Sequence, residues 1–360
     1  MALRWITFLF FLNTLINAQP KRMMVISGGG ARGAWGVGVA EQLVKKYGPY
    51  QAVYGTSTGS LMAPLILLND FDRLKYIYTN TTAKDIFSKN PFTKPKYKNG
   101  KIFVNINYGR VVWRLFFGKK TIGESKNLRK QISKFFTESD YNKLDSNQLV
   151  LGVAVTNMNT GKPEIKRNDK LNYTQLTSWM WASANQPLWM NYVHGYYVDG
   201  GLRSVIPIEQ AIIYADSNNI SEIDVIINNS VDSLEQGWSP NKKNMLDGML
   251  RILKIYDAGT IRNNMIIGEL LTNVCYDSNK ELENERFITI RYHIMPDILA
   301  KNYQYDLAFV KKEMEKLLLA GQTYEIDKKK VSIGINARSQ RPSNEHRIPV
   351  MMYKQLIGPK

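Results

Sequence analysis

One cysteine, three histidines and no apolar run long enough to cross a bilayer: this 360-residue chain is poor in the usual carriers of chemistry. A lone Cys275 cannot close an intrachain disulfide and cannot build a cysteine-based metal site, so the fold must be held by its core. Acidic residues are also short, 31 against 48 Lys and Arg, which leaves a formal net charge of +17 and favours anionic partners. The basic residues are spread along the chain, and no zinc-finger, RNA-recognition or homeodomain pattern accompanies them. That argues against nucleic acid and leaves an anionic membrane surface, or simple solubility, as the reading of the charge. With 44% hydrophobic and 22% charged residues the composition is globular.

The longest apolar run, Trp5 to Ile16, follows Arg4 and precedes the small residue Ala18. It falls short of the roughly 20 residues a membrane span needs. Basic, apolar, small is the order of a secretory signal peptide, here residues 1–18 with cleavage after Ala18, which would deliver the chain to the secretory pathway or periplasm. An uncleaved N-terminal anchor is the alternative.

Beyond the leader, "MMVIS" is a short apolar run ending in glycines, a buried strand, and "ARGAWGVGVAEQLVKKYG" continues at helical spacing to Gly48. "AVYG" leads directly into "TSTGSLMAPLILL", a second strand, turn and helix. This alternation predicts an α/β fold with a mainly parallel sheet. Residues from about 69 to 147 have weaker periodicity and read as a helical insertion. "LVLGVAVTNM", "YYVDGG" and "EIDVIINN" complete the expected sheet, and the domain is bounded at 23–238. A mostly helical C-terminal region, 239–332, with one strand at "FITIRYHI", and a loose basic tail, 333–360, follow.

The stretch "SGGGARGAWG" contains the G-x-G-x-x-G spacing at Gly28, Gly30 and Gly33. Its backbone N–H groups open a helix, an anion site whatever the anion. A dinucleotide fold also needs an acidic residue at the end of the second strand. "QAVYGTS" has none; it carries "GTSTG", a G-x-S-x-G elbow around Ser57 with Gly55, Thr56, Thr58 and Gly59. Were the two turns adjacent at the carboxyl edge of parallel strands, the N–H groups of Gly29 and Gly30 would face an oxygen on a carbon bonded to Ser57 Oγ, an oxyanion hole.

A nucleophilic serine needs a base. His194, His293 and His346 are all poorly placed by pattern, though Ser57, an acid and His293 would suit the chain order of a hydrolase triad. Asp199, at the end of a strand and followed by Gly200 and Gly201, is the better candidate; the alternative is an Asp-Gly-Gly turn without chemistry.

The three blocks together, "GGGARG" (Gly28, Gly29, Gly30, Ala31, Arg32, Gly33), "GTSTG" and "DGG", resemble the patatin-like phospholipase family in content and order. The resemblance covers about residues 23–228. It implies a three-layer α/β/α sandwich, a Ser57–Asp199 dyad without histidine, an oxyanion hole at Gly28–Gly33, no metal or cofactor, and a phospholipid or other acyl-lipid substrate. "ASANQP" is similar to the family's small-residue helix end, but Asn185 and Gln186 stand where apolar residues are usual. Arg32 would face a lipid phosphate or a local carboxylate. The clusters "SWMW" with "PLWM", and "VVWRLFFGKK" at 111–120, are candidates for an acyl pocket or an interfacial patch. A lipid-binding relative without activity is the competing class.

Overall fold

The computed structural model describes residues 21–98, 101–230, 245–277, 288–302 and 309–326. The expected leader, His346 and the basic tail lie outside the described residues. In chain order the elements are β1 (Arg22–Ile26), α1 (Gly33–Tyr47), β2 (Ala52–Thr56), α2 (Thr58–Leu67), α3 (Phe71–Asn80), α4 (Ala83–Ile86), the hairpin β3 (Lys96–Lys98) and β4 (Lys101–Phe103), and α5 (Tyr108–Phe116). They continue with α6 (Lys126–Phe135), α7 (Glu138–Ser146), β5 (Val150–Asn157), β6 (Lys162–Arg167), α8 (Tyr173–Ser183), β7 (Tyr197–Asp199), α9 (Ile208–Ser217) and β8 (Glu222–Ile227). The last are α10 (Met245–Asp277), β9 (Thr289–Ile294), α11 (Asp297–Asn302) and α12 (Lys311–Gln322).

The main sheet runs β6-β5-β2-β1-β8-β9, with β7 also paired to β5. Every neighbouring pair from β5 to β9 is parallel, while β6 and β7 join β5 antiparallel. β1 lies at the centre, and its side chains alternate between two cores. Met24 and Ile26 enter one with residues of α1, α2, α8 and α12; Met23 and Val25 enter the other with residues of α9 and α10. Helices therefore cover both faces, which makes the expected three-layer α/β/α sandwich.

Two features depart from the linear reading. "FITIRYHI" does not lie apart in a helical region: β9 pairs along the whole of β8 and forms the sheet edge. α12 in turn docks on α1, where Gln322 Nε2 donates to Glu41 Oε2 at 2.7 Å. β9 and α12, both from the region expected to lie apart, thus complete the sandwich. Between α2 and β5, where the sequence suggests an insertion, lie α3 to α7 and the β3–β4 hairpin. This segment is braced across its span by Arg73, whose guanidinium donates twice to the buried Asp140 carboxylate at 2.8 and 3.1 Å.

Candidate active site

The elbow is built from a strained residue and the glycines that make room for it. Ser57 follows β2 with φ 54° and ψ −122°, a region that costs a non-glycine residue about 1–3 kcal/mol. Three bonds hold it there. Its N–H donates to Ser183 Oγ at 2.9 Å, Ser183 Oγ donates onward to the Ala154 carbonyl at 2.6 Å, and the Ser57 carbonyl accepts Ser60 Oγ at 2.7 Å. The turn must also bring α2 against the end of β1: a Cβ on Gly59 would lie 2.4 Å from the Ile26 carbonyl oxygen.

Asp199 reaches Ser57 through strand pairing. β2 pairs along Val150–Ala154 of β5, with Thr56 opposite Ala154. β7 pairs with the next residues, and Asp199 stands opposite Val155. Because β6 occupies the other side of β5, β2 and β7 lie end to end, and the residue ending each faces the junction. The Ser57 side chain is close enough to the Asp199 carboxylate to favour its charged form. Asp199 Oδ1 also accepts the Gly201 N–H at 2.7 Å, and the Asp199 N–H donates to the Asn185 carbonyl at 2.8 Å. The carboxylate is only 3% exposed. Burial pushes its pKa up to about 6, and the nearby Ser57 side chain and the Gly201 N–H only partly offset that rise.

The glycine turn abuts the elbow: a Cβ on Gly28 would sit 3.4 Å from Ser57 Cβ. The structure divides its six residues. Gly28 N–H donates to the Val205 carbonyl at 3.2 Å, Arg32 N–H to Gly29, and Gly33 N–H to Gly30 and Ala31, so these three donors are committed to the fold. Gly29, Gly30 and Ala31 remain, at the start of a single 3-10 turn whose first N–H groups have no intrahelical acceptor. Gly29 has φ 157°, and a Cβ there would be 2.6 Å from Asn228 Cβ. Asn228 ties this turn down, donating its N–H to Ser27 Oγ at 2.8 Å and its Nδ2 to the Ser27 carbonyl at 3.0 Å. Arg32 folds back locally, its Nε donating to the Gly29 carbonyl at 3.4 Å. Thr58 Oγ1 meets the Tyr78 hydroxyl at 2.5 Å, which joins the elbow to α3.

A cavity opens from Ser57, Gly30 and Ala31 into apolar surroundings. Its floor is Leu61 and Leu65 of α2; its walls are Leu74, Ile77 and Tyr78 of α3, Leu128, Ile132 and Phe135 of α6, and Met180 and Met190. Nearly half of the lining thus comes from the insertion, and Phe309 and Met314 add a contribution from α12 and the residues before it. A family model described as patatin-like phospholipase matches residues 24–212. The chain belongs to that family. Patatin-like proteins are generally lipid acyl hydrolases, and the matched span runs from β1 into α9, containing Ser57, Asp199 and the glycine turn. One solved structure similar to this chain is VipD from Legionella pneumophila, at 13% identity, covering 84% of this chain and 67% of that one, with a TM-score of 0.39. No curated protein matches the chain.

His293 and His194 lie apart from this patatin-like site. His293 is buried on β9, its Nε2 3.2 Å from Asp224 Oδ1, and β8 and β1 stand between it and β2. Three strand spacings of about 4.8 Å put it roughly 14 Å from the elbow, so the triad alternative does not assemble. His194 is exposed in the loop before β7, bonded to Ser178 Oγ at 3.1 Å. Of the first aromatic cluster, the methionines face the cavity and the tryptophans pack elsewhere: Trp181 donates from Nε1 to the Ser125 carbonyl at 3.1 Å, and Trp189 stacks against Phe92. Ser183 and Asn228 were not foreseen. Asn228 had a usable signal, since "EIDVIINN" turns polar where β8 reaches the glycine turn; Ser183 had none.

Proposed function

We propose that this patatin-like protein is a serine lipid acyl hydrolase that cleaves fatty acyl esters of phospholipids, with Ser57 as nucleophile and Asp199 as its base. The observation that carries this reading is the end-to-end docking of β2 and β7 on β5, which joins a strained serine to a buried carboxylate at the mouth of an apolar cavity.

In this reading the acyl chain lies in the cavity between α2, α3 and α6, with its ester carbonyl at Ser57. Asp199 accepts the Ser57 proton as Oγ attacks the carbonyl carbon, and the N–H groups of Gly29, Gly30 and Ala31 stabilise the oxyanion. Collapse of the tetrahedral intermediate expels the alcohol, which takes the proton back from Asp199, and leaves an acyl-serine. Asp199 then deprotonates a water for the second attack, which releases the fatty acid. A carboxylate with a pKa near 6 is better matched to this task at neutral pH than an ordinary aspartate, and general base catalysis supplies roughly 100-fold to 10,000-fold.

The test is fatty acid release from phospholipid in mixed micelles by purified wild type, Ser57→Ala, Asp199→Asn and His194→Ala. Release that stops in the first two variants and persists in the third supports the dyad. No release by folded wild type overturns it and leaves lipid binding as the function of the cavity, and full release by Asp199→Asn overturns Asp199 as the base.

A further inference from the structure

α5 is built inside out. Its inward face is Val111, which packs on the core, and Arg114, whose guanidinium is held by the Thr121 carbonyl at 3.1 Å, Glu124 Oε1 at 3.0 Å and the Gly123 carbonyl at 3.3 Å. Its outward face is apolar: Val112, Trp113, Leu115, Phe116 and the following Phe117 are 54–81% exposed. An ordinary surface helix puts such residues inward and its arginine outward. The outward aromatics are already arranged as a ridge, with Trp113 and Phe116 each edge-on to Phe117 at centroid distances of 4.7 and 5.4 Å. A contiguous exposed apolar patch of this kind marks an interaction site.

Charge identifies the occupant. From Ile86 to Gly123 the sequence has no Asp or Glu but carries Lys89, Lys94, Lys96, Lys98, Lys101, Arg110, Arg114, Lys119 and Lys120. These 38 residues therefore hold nine formal positive charges, more than half of the chain's net +17. Arg114 is neutralised by Glu124, while Arg110, Lys119 and Lys120 are exposed at the two ends of the ridge. Aromatic and aliphatic residues ringed by cations match the acyl boundary and the anionic headgroups of a lipid bilayer.

The ridge is also linked to the border of the cavity. The loop after α5 is bonded to the segment that borders the site: Ile122 N–H donates to the Leu188 carbonyl at 2.9 Å, and Leu188 is half exposed. Gln186 and Met190, on either side of Leu188, line the Ser57 cavity. We propose that α5 docks the protein on an anionic bilayer surface, with Trp113, Phe116 and Phe117 entering the headgroup–acyl boundary, so that lipid is taken up next to the cavity mouth. This deepens the hydrolase reading by naming the surface on which the substrate is met, but the docking itself needs no turnover.

The experiment is co-sedimentation of the full-length Ser57→Ala protein with phosphatidylcholine vesicles, with and without about a third phosphatidylglycerol. Ser57→Ala keeps the vesicles intact, so failure of docking is separable from failure of catalysis, which fatty acid release reports. Binding is expected to anionic vesicles, to weaken steeply in 1 M salt as screening lengths fall to about 3 Å, and to drop on the order of 100-fold when Trp113→Ser, Phe116→Ser and Phe117→Ser are combined. Because these side chains are exposed, the melting temperature should not fall. Lys119→Glu with Lys120→Glu should lower binding to anionic vesicles about tenfold or more and leave the residual binding to neutral ones unchanged. Three results overturn the proposal: no binding to anionic vesicles, a triple-serine protein that binds as well as its parent, or a wild-type dimer that the triple-serine substitution separates, which would assign the ridge to a second copy of this chain.

Discussion

Lowering the pH from 7 to 5 should cost this protein about tenfold in kcat/KM, because the base assigned to it is an aspartate that burial has moved. With a pKa of about 6, Asp199 is about 90% ionised at pH 7 and about 10% at pH 5. An aspartate at the ordinary value near 3.9 would be about 90% ionised at pH 5 and would give an almost flat profile over the same range. The assay is hydrolysis of a soluble short-chain ester, which avoids any pH dependence of membrane contact, between pH 4.5 and 8. A single acidic limb centred near pH 6 is expected, and His194→Ala should keep it, since that imidazole lies outside the site with its own pKa lowered by burial. The same shift has a stability consequence. A carboxyl raised from about 3.8 to about 6 on folding stabilises the fold below pH 3.8, and that contribution is lost as the pH rises through 6, up to about 3 kcal/mol. Asp199→Asn should therefore be inactive and yet melt higher than wild type at pH 8, with the gap closing towards pH 4. A profile flat down to pH 5 in wild type, or a pH-independent difference in melting, would refute the reasoning.

Other substitutions probe the supports of the site. Ser183→Ala removes the acceptor of the Ser57 N–H and the donor to Ala154, and should lower both kcat, by tenfold or more, and stability, by about 1–3 kcal/mol in urea unfolding. Gly29→Ala sets a methyl against Asn228 and distorts the turn; kcat should fall on the order of 100-fold with little change in KM, measured by steady-state kinetics. Ile132→Trp fills the cavity from α6, and should spare short-chain esters while suppressing release of long fatty acids, read by chromatography of the products.

Much of the layout of the candidate site was legible because parallel α/β topology sends successive strand ends to one edge. A turn after β1 and a turn after β2 must then be neighbours, so "GGGARG" and "GTSTG" could be paired from order alone. The division of labour within the glycine turn was not legible: which N–H groups remain free depends on Val205, which reaches Gly28 from a segment far along the chain. The joining of Asp199 to Ser57 depends on β7 extending the line of β2 along β5, a register that periodicity over three residues cannot carry. β9 was misplaced for a related reason, since its half-buried edge pattern does not say which sheet it joins. Part of the cavity wall came from the insertion, where weak periodicity reflects helices that bury residues against a hollow as well as a core. α5 was the reverse case: the crowding of apolar and basic residues in "VVWRLFFGKK" was visible, but its inward arginine was not.

Whether Asp199 activates Ser57 as a nucleophile is read by mass spectrometry of the protein after treatment with a fluorophosphonate. One covalent adduct per chain is expected, mapped to the peptide containing Ser57, absent in Ser57→Ala and formed at least 100-fold more slowly in Asp199→Asn. An unlabelled folded wild type, an adduct on another residue, or labelling of Asp199→Asn at the wild-type rate would contradict it.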